Sequence, residues 1–147
     1  MIIRPALETD IEGAIDLLRE FQSESLNEYG VKIDIDIAKQ TCMDYVKTSL
    51  VAEIDNKIVG VLAGTVINAP LGKDLIYQEA VWFVSKKYRK VGIKLLASLE
   101  EYCKNKNIKF IIFVHMMNLK KDKLEDFYLR LGFIPFEVHY IKELRGN

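Results

Sequence analysis

A basic cluster with one glycine stands between a strand-like and a helix-like segment. Residues 79–84 (EAVWFV) are typical of a strand, residues 88–92 (YRKVG) follow, and apolar residues then recur at helical spacing. The first N–H groups of a helix have no partner within it, and together with the helix dipole they favour an anion. Gly92 lacks a Cβ that would obstruct a phosphate, while Arg89 and Lys90 add positive charge. The pattern indicates either a phosphate site or an ordinary surface connection with solvated basic side chains.

Helical spacing of apolar residues predicts four helices in the chain. The first follows a Thr9-x-x-Glu12 capping box, the second begins at Asp34 or Asp36, and the fourth ends with Gly132 as its C-cap. Their expected ranges are residues 9–24, 34–47, 92–106 and 122–131.

Runs rich in β-branched and aromatic residues predict strands between these helices. Their expected ranges are residues 1–6, 49–54, 58–67, 75–84, 108–114 and, as a closing extended segment, 133–144. The Asp-Asn-Lys turn at 55–57 predicts a hairpin, and two consecutive hairpins are incompatible with a fully parallel, doubly wound sheet. The apolar run 108–114 is typical of a central strand buried on both faces. The order β-α-α-β-β-β-α-β-α-β therefore predicts a mixed sheet in an α+β domain.

The composition limits the kinds of partner that the protein can have. The 147 residues predict one domain, 1–147, and the 21 basic residues balance the 21 acidic ones, which disfavours nucleic acid or a membrane surface as a partner. The sequence shows no membrane-spanning run and no signal-peptide core, so we expect a cytoplasmic protein. Cys42 and Cys103 have no metal-ligand spacing, so we expect reduced thiols and no metal site; Cys103 lies on an apolar helical stripe.

Three segments, in order along the chain, resemble the GCN5-related N-acetyltransferase (GNAT) superfamily. Residues 82–96 (WFVSKKYRKVGIKLL) are similar to its V-x-P-x-x-R-x-x-G-x-G/A cofactor segment, with Val84, Arg89, Gly92 and Ile93 in register. The segments IIRPALETDIEGAIDLL and FYLRLGFIPFE are similar to its opening strand and helix and to its closing F-Y-x-x-x-G-F segment. The resemblance implies a three-layer α+β fold, in which helices flank a mixed, mostly antiparallel sheet and a strand–helix–strand unit binds acetyl-CoA (coenzyme A).

The resemblance also implies which residues bind the cofactor. They are Val84, Arg89, Lys90, Val91, Gly92, Ile93 and Lys94. Two positions depart from the family pattern: Ser85-Lys86 replaces a frequent proline, and Lys94 replaces the second small residue. The Lys94 ammonium could bind a phosphate, crowd it, or remain solvated.

Two further residues match positions that carry chemistry in the family. Acetyl transfer to an amine requires a neutral amine and a protonated leaving thiolate. Glu79 resembles the carboxylate base, acting directly or through water, although a strand glutamate without a catalytic role is the alternative. Tyr128 resembles the tyrosine that protonates the thiolate, with core packing as the alternative. Asn118 is a loose match to a cofactor-proximal asparagine at an unusual spacing.

The sequence therefore predicts an acetyl-CoA-dependent N-acetyltransferase that acts on a primary amine of a small molecule or a protein by direct attack in a ternary complex. The alternative is a catalytically inactive domain that binds acyl-CoA or a protein partner. Glu24, Glu28 and Tyr29 lie where the family recognises its acceptor, and the two glutamates could attract a cationic amine or be a solvated helix end. A homodimer paired through the C-terminal segment is also conceivable, with Val138 and Tyr140 at the contact.

Overall fold

The computed structural model of the chain describes residues 1–26, 30–115 and 121–144, which belong to two units, 1–114 and 115–147. In the first unit, the strands are β1 (Ile2–Pro5), β2 (Leu50–Ile54), β3 (Lys57–Asn68), β4 (Leu75–Val84) and β5 (Ile108–Ile112). Its α-helices are α1 (Ile11–Phe21), α2 (Ile35–Tyr45) and α3 (Val91–Asn105). The second unit contains α4 (Lys121–Arg130).

The five strands form one mixed sheet in the order β1-β2-β3-β4-β5. The first four strands are antiparallel to their neighbours, whereas β4 and β5 are parallel and are connected through α3. Asp55 and Asn56 have φ angles of 50° and 60°, as expected for a two-residue hairpin turn whose twist matches that of its strands. The predicted mixed, mostly antiparallel sheet and its central hairpin are confirmed.

Helices cover both faces of this sheet because side chains alternate between the faces along each strand. On one face, Leu17 of α1 packs with Val61 and Phe83. On the other face, Leu95 and Leu99 of α3 pack in the larger cluster, whose buried strand residues include Ala52, Leu62, Tyr77 and Val84. This arrangement confirms the predicted three layers, and it attaches the start of α3 to the end of β4.

The first helix begins differently from the prediction. A 3-10 turn, Glu8–Asp10, precedes α1, and the Asp10 carboxylate accepts the N–H of Leu7, the N-cap residue of that turn, at 2.8 Å. Arg4 donates to both Asp10 oxygens at 2.7 and 2.8 Å, and these hydrogen bonds hold the pKa of Asp10 below its ordinary value. Helix α1 ends at Phe21, and a π-helical turn, Gln22–Leu26, continues it. The second helix is capped by Asp34, which accepts the Ile37 N–H at 3.1 Å, as one of the two alternatives predicted.

Two strand predictions are wrong. The run 108–114 was expected to be a central strand, but β5 is the last strand of the described sheet, and Phe110 is 48% exposed. Residues 133–144, expected to be extended, are in no strand, and six of their large apolar side chains are exposed. The pattern of apolar residues shows only that a segment tends to form a strand. Whether other strands pair with it depends on segments that are distant in the sequence.

Local signals at the ends of two helices are confirmed. After α3, Asn107 has a φ angle of 55°, and after α4, Gly132 has a φ angle of 85°. The Phe133 N–H donates to the Tyr128 carbonyl at 3.0 Å, which is a typical hydrogen bond of a glycine-terminated helix.

Cys103 is buried in the core, as predicted, and burial raises the pKa of its thiol to about 11. Of the helices in the described ranges, none is both long and apolar enough to cross a bilayer.

Candidate functional site

Strand β4 separates from β5 halfway along its length. The two strands pair from Leu75–Ile108 to Gln78–Ile112, and the described residues show no pairing between them beyond that point. Strand β4 nevertheless continues to Val84, where it pairs with Gly60 of β3. Among the residues that the structure describes, no strand pairs with the backbone of residues 79–84 on the β5 side. This gap is defined by residues 79–84 and is called the β4 slot below.

A β-bulge stands at the beginning of the β4 slot. The register passes from Ala63–Val81 to Gly64–Glu79, so that Ala80 is an extra residue on β4. Such a bulge bends the strand and increases its twist, which explains why β4 turns away from β5 here. A Cβ at Gly64 would collide with the Gln78 carbonyl oxygen and lie 2.7 Å from the Tyr77 ring. Sequence analysis missed the bulge; a glycine inside a strand was the available signal.

Glu79 is buried at the start of the β4 slot. The residue is 6% exposed, and its Oε2 accepts the Val114 N–H at 2.8 Å, just after the end of β5. Burial raises the pKa of Glu79 to about 7, while the hydrogen bond from Val114 opposes the rise. A carboxyl group with this pKa exists in both protonation states near neutral pH, which suits a general base. The part played by Val114 could not be read from the sequence.

The connection from β4 to α3 is a 3-10 turn, Lys86–Tyr88, followed by the first turn of α3. We expected the N–H groups of residues 90–94 to lack intrahelical partners, but the Gly92 N–H donates to the Arg89 carbonyl at 3.1 Å. A Cβ at Gly92 would lie 3.6 Å from Trp82 and 3.7 Å from Val84. It would therefore face the sheet in ordinary van der Waals contact, so the packing of α3 on β4 does not itself require a glycine here.

The other predicted cofactor residues divide into a buried and an exposed group. Val84 and Val91 are buried, and their side chains belong to the core under α3. Lys90, Ile93 and Lys94 are exposed. Lys94 thus lies on the solvent side of the first helical turn.

Arg89 already contacts a carboxylate of its own chain. Its Nη2 donates to Glu24 Oε2 at 2.7 Å, and its guanidinium carbon lies 5.2 Å from the centre of the Phe83 ring. The Lys86 Nζ lies 3.6 Å from Glu24 Oε1, and the Lys86 N–H donates to Glu20 Oε1 at 3.1 Å. Sequence analysis considered Glu24 only as an attractor for an amine or as a solvated helix end. In the structure, Glu24 pairs with the basic cluster.

Tyr128 belongs to the second unit and lies in an aromatic group. The centre of its ring is 5.4 Å from that of Phe133 and 6.0 Å from those of Phe127 and His115. This environment is compatible with the packing alternative as well as with a chemical role. Three weaker candidates, Glu28, Tyr29 and Asn118, lie outside the described residues.

The described residues form no cluster of metal-ligating side chains. Within residues 1–26, 30–115 and 121–144, no three His, Cys, Asp or Glu side chains are grouped so that they could hold a metal ion. In the first unit, the groups that could bind a ligand or transfer a proton are the Glu79 carboxylate, the β4 backbone at residues 79–84 and the segment 86–90, called the basic turn below.

Solved structures share this architecture at low sequence identity. The BH1408 protein from Bacillus halodurans, as a tetramutant, has a TM-score of 0.76 at 18% identity, covering 98% of this chain and 100% of that one. Ribosomal-protein-alanine N-acetyltransferase from Brucella melitensis biovar Abortus 2308 has a TM-score of 0.74 at 13% identity, with the same coverage. An aminoglycoside acetyltransferase, meta-AAC0020, from an uncultured soil metagenomic sample and in complex with sisomicin, has a TM-score of 0.73 at 19% identity, covering 98% and 96%.

These similarities confirm the fold, and the family follows from the sequence. No curated protein shows significant sequence similarity to the chain. The model of the acetyltransferase (GNAT) family, however, matches residues 11–133, from the start of α1 to the residue after Gly132. This match spans most of the 147 residues, including the bulged strand, Glu79 and the basic turn. The chain therefore belongs to the GNAT acetyltransferase family.

Proposed function

We propose that this protein is an N-acetyltransferase that transfers the acetyl group of acetyl-CoA to a primary amine by direct attack in a ternary complex. The observation that carries the proposal is Glu79, a buried carboxyl group with a pKa of about 7 at the opening of the β4 slot. Burial of a carboxyl group costs free energy, and titratable groups with such shifted pKa values are concentrated at functional sites.

The residues of the first unit fit acetyl-CoA as the donor. The open backbone of the β4 slot offers N–H and C=O groups to an extended, amide-containing arm, in the manner of an added strand. The basic turn already attracts carboxylates: Glu20 accepts a backbone N–H there, and Glu24 accepts from Arg89. The same donors suit the phosphate oxygens of coenzyme A. Arg89, Lys90 and Lys94 would provide the charge near the phosphates, and the backbone of residues 91–93 would border them.

The proposed chemistry requires Glu79 to take a proton. When bound, acetyl-CoA supplies an activated thioester carbonyl. An aliphatic amine has an ordinary pKa of about 10.4 and is mostly protonated near pH 7, so it must lose a proton before its nitrogen can attack. Glu79 accepts this proton directly or through water. The Val114 N–H donates a hydrogen bond to Glu79, which holds the carboxylate in place and stabilises its ionised form.

The remaining proton goes to the leaving group. The carbon–nitrogen bond forms as the carbon–sulfur bond breaks, and the thiolate takes a proton to become the free thiol of coenzyme A. We assign this donation to the Tyr128 hydroxyl, because the residue matches the family tyrosine before Gly132-Phe133. The acceptor is a small molecule or a protein amino group, and the names of the similar structures include one of each kind, an aminoglycoside acetyltransferase and a ribosomal-protein-alanine N-acetyltransferase.

Two measurements, made one after the other, test the proposal. Calorimetric titration with acetyl-CoA should give saturable binding to one site. A panel of primary amines should then release free thiol from acetyl-CoA in an enzyme-dependent reaction, and Glu79→Gln should slow that release without abolishing binding. The absence of binding would remove the enzyme assignment. Binding without turnover, across small amines and peptide N-termini alike, would instead favour an acyl-CoA-binding module.

A further inference from the structure

The end of α1 brings two carboxylates to the basic turn between β4 and α3. Glu20 belongs to the last α-helical turn, and Glu24 to the π-helical turn Gln22–Leu26 that follows. A π turn shifts the positions of the following side chains relative to an α-helix, and such turns occur frequently at functional sites. Glu20 accepts the Lys86 N–H at 3.1 Å, and Glu24 accepts from Arg89 at 2.7 Å. Both acidic side chains therefore bind donors on the turn.

The two side chains of the Glu24–Arg89 ion pair differ in their exposure to solvent. Glu24 is largely enclosed, with a side-chain exposure of 20%, whereas the Arg89 side chain is 50% exposed. The second oxygen, Oε1, is buried and has no hydrogen-bond donor among the residues that the structure describes; its nearest cation is the Lys86 ammonium at 3.6 Å. One carboxylate thus contacts Lys86 and Arg89, two of the four cationic side chains between β4 and α3, while its Oε1 accepts no hydrogen bond from the described residues.

A phosphate that binds Arg89 through the same guanidinium N–H group must displace this carboxylate. We propose that Glu24 sets the affinity of the site for coenzyme A by competing with the cofactor's phosphates for Arg89. The inference rests on the proposed function, because it assumes that coenzyme A binds at the basic turn. Glu24 disfavours the bound state in two ways: its ion pair with Arg89 must be broken, and its charge repels the incoming phosphates. Coenzyme A can still displace Glu24 from Arg89, because a phosphate offers more acceptor oxygens than a carboxylate.

Glu24→Gln tests the competition because it removes the charge and keeps the shape. Because the Arg89 side chain is half-exposed, water screens its ion pair with Glu24, so the dissociation constant for coenzyme A should fall by about two- to fivefold in calorimetric titration. The gain should shrink with added salt, which screens partly exposed charges. Pantetheine, which has the arm but no phosphates, should bind equally to both proteins. Glu12→Gln is the control: it removes a carboxylate of α1 that pairs with a lysine, Lys39, away from the basic turn.

The outcomes separate this inference from the proposed function. If wild type binds coenzyme A and Glu24→Gln binds it with the same or lower affinity, the competition is refuted while the cofactor site stands. An equal gain for pantetheine would also refute it, because the effect would not depend on phosphates. If neither protein binds coenzyme A, the proposed function fails, and the inference fails with it. Thermal unfolding of both proteins, and of Glu24→Ala as a second variant, verifies that each is folded.

Discussion

Replacing Glu79 with glutamine should remove a pH-dependent part of the free energy of unfolding. The carboxyl group is buried, and its pKa is raised from the ordinary 4.5 to about 7. This difference corresponds to roughly 3 kcal/mol between the protonated and ionised forms. Glutamine keeps the shape and retains a carbonyl oxygen that can accept the Val114 N–H, but it carries no proton that titrates in this range.

The direction of the effect follows from which state binds the proton more tightly. The folded protein binds the Glu79 proton more tightly than the unfolded chain does. The free energy of unfolding therefore falls as the pH rises through the range in which the unfolded chain has lost this proton and the folded protein still holds it. Below pH 4.5 this contribution is fully present. It decreases as the pH rises and is lost above about pH 7. Between pH 5 and pH 8 the free energy of unfolding of wild type should therefore fall, relative to Glu79→Gln, by roughly 2 to 3 kcal/mol.

Urea unfolding at a series of pH values, followed by the fluorescence of Trp82, the single tryptophan, measures this difference. Titration of the other groups is common to both proteins and cancels in the comparison. Glu101→Gln, which removes an exposed carboxyl group on α3, is the control and should follow wild type. Curves for wild type and Glu79→Gln that remain parallel from pH 5 to pH 8 would show that the pKa of Glu79 is not raised, and the argument for a base would lose its foundation.

Three further variants address the tyrosine, the unusual lysine and the bulge. Tyr128→Phe should reduce the rate of thiol release by about tenfold or more with little change in acetyl-CoA affinity, measured by steady-state kinetics and calorimetry; turnover at the wild-type rate would leave Tyr128 with packing alone. Lys94→Ala should weaken acetyl-CoA binding if the exposed ammonium contacts a phosphate, and this loss should diminish with salt; unchanged affinity would assign the side chain to solvent. Gly64→Ala should lower stability by about 1 to 3 kcal/mol, because its Cβ would collide with the Gln78 carbonyl oxygen. The matched change Gly72→Ala, whose Cβ would have its nearest neighbour at 3.9 Å, should leave the thermal midpoint nearly unchanged; equal midpoints for the two variants would mean that the bulge accommodates a side chain.

The features that the sequence predicted well depend on short stretches of chain. The hairpin at Asp55-Asn56 and the cap at Gly132 require positive φ angles that few residues adopt easily, so local chemistry specified them. The helical stripe of α3 and the mixed sheet followed from apolar periodicity and from the order of the elements. The place of Glu79 in a strand was predicted in the same way.

The features that the sequence did not predict depend on contacts between distant segments. Glu79 is buried, and the residue that donates to its carboxylate, Val114, is 35 residues away in the sequence. The Arg89 contact with Glu24 spans 65 residues and is formed by a π turn that has no clear sequence signature. The assignment of 108–114 to the middle of the sheet failed for a related reason, because hydrophobicity does not reveal the number of neighbours a strand will have.

The central claim is that the acetyl group moves from acetyl-CoA to an amine nitrogen. The most direct measurement is mass spectrometry of a primary-amine panel incubated with the protein and acetyl-CoA that carries an isotope-labelled acetyl group. The account predicts labelled acetyl in an amide that survives hydroxylamine, formed with wild type and strongly reduced with Glu79→Gln. Label found only in free acetate, or in an ester or thioester that hydroxylamine cleaves, would contradict it.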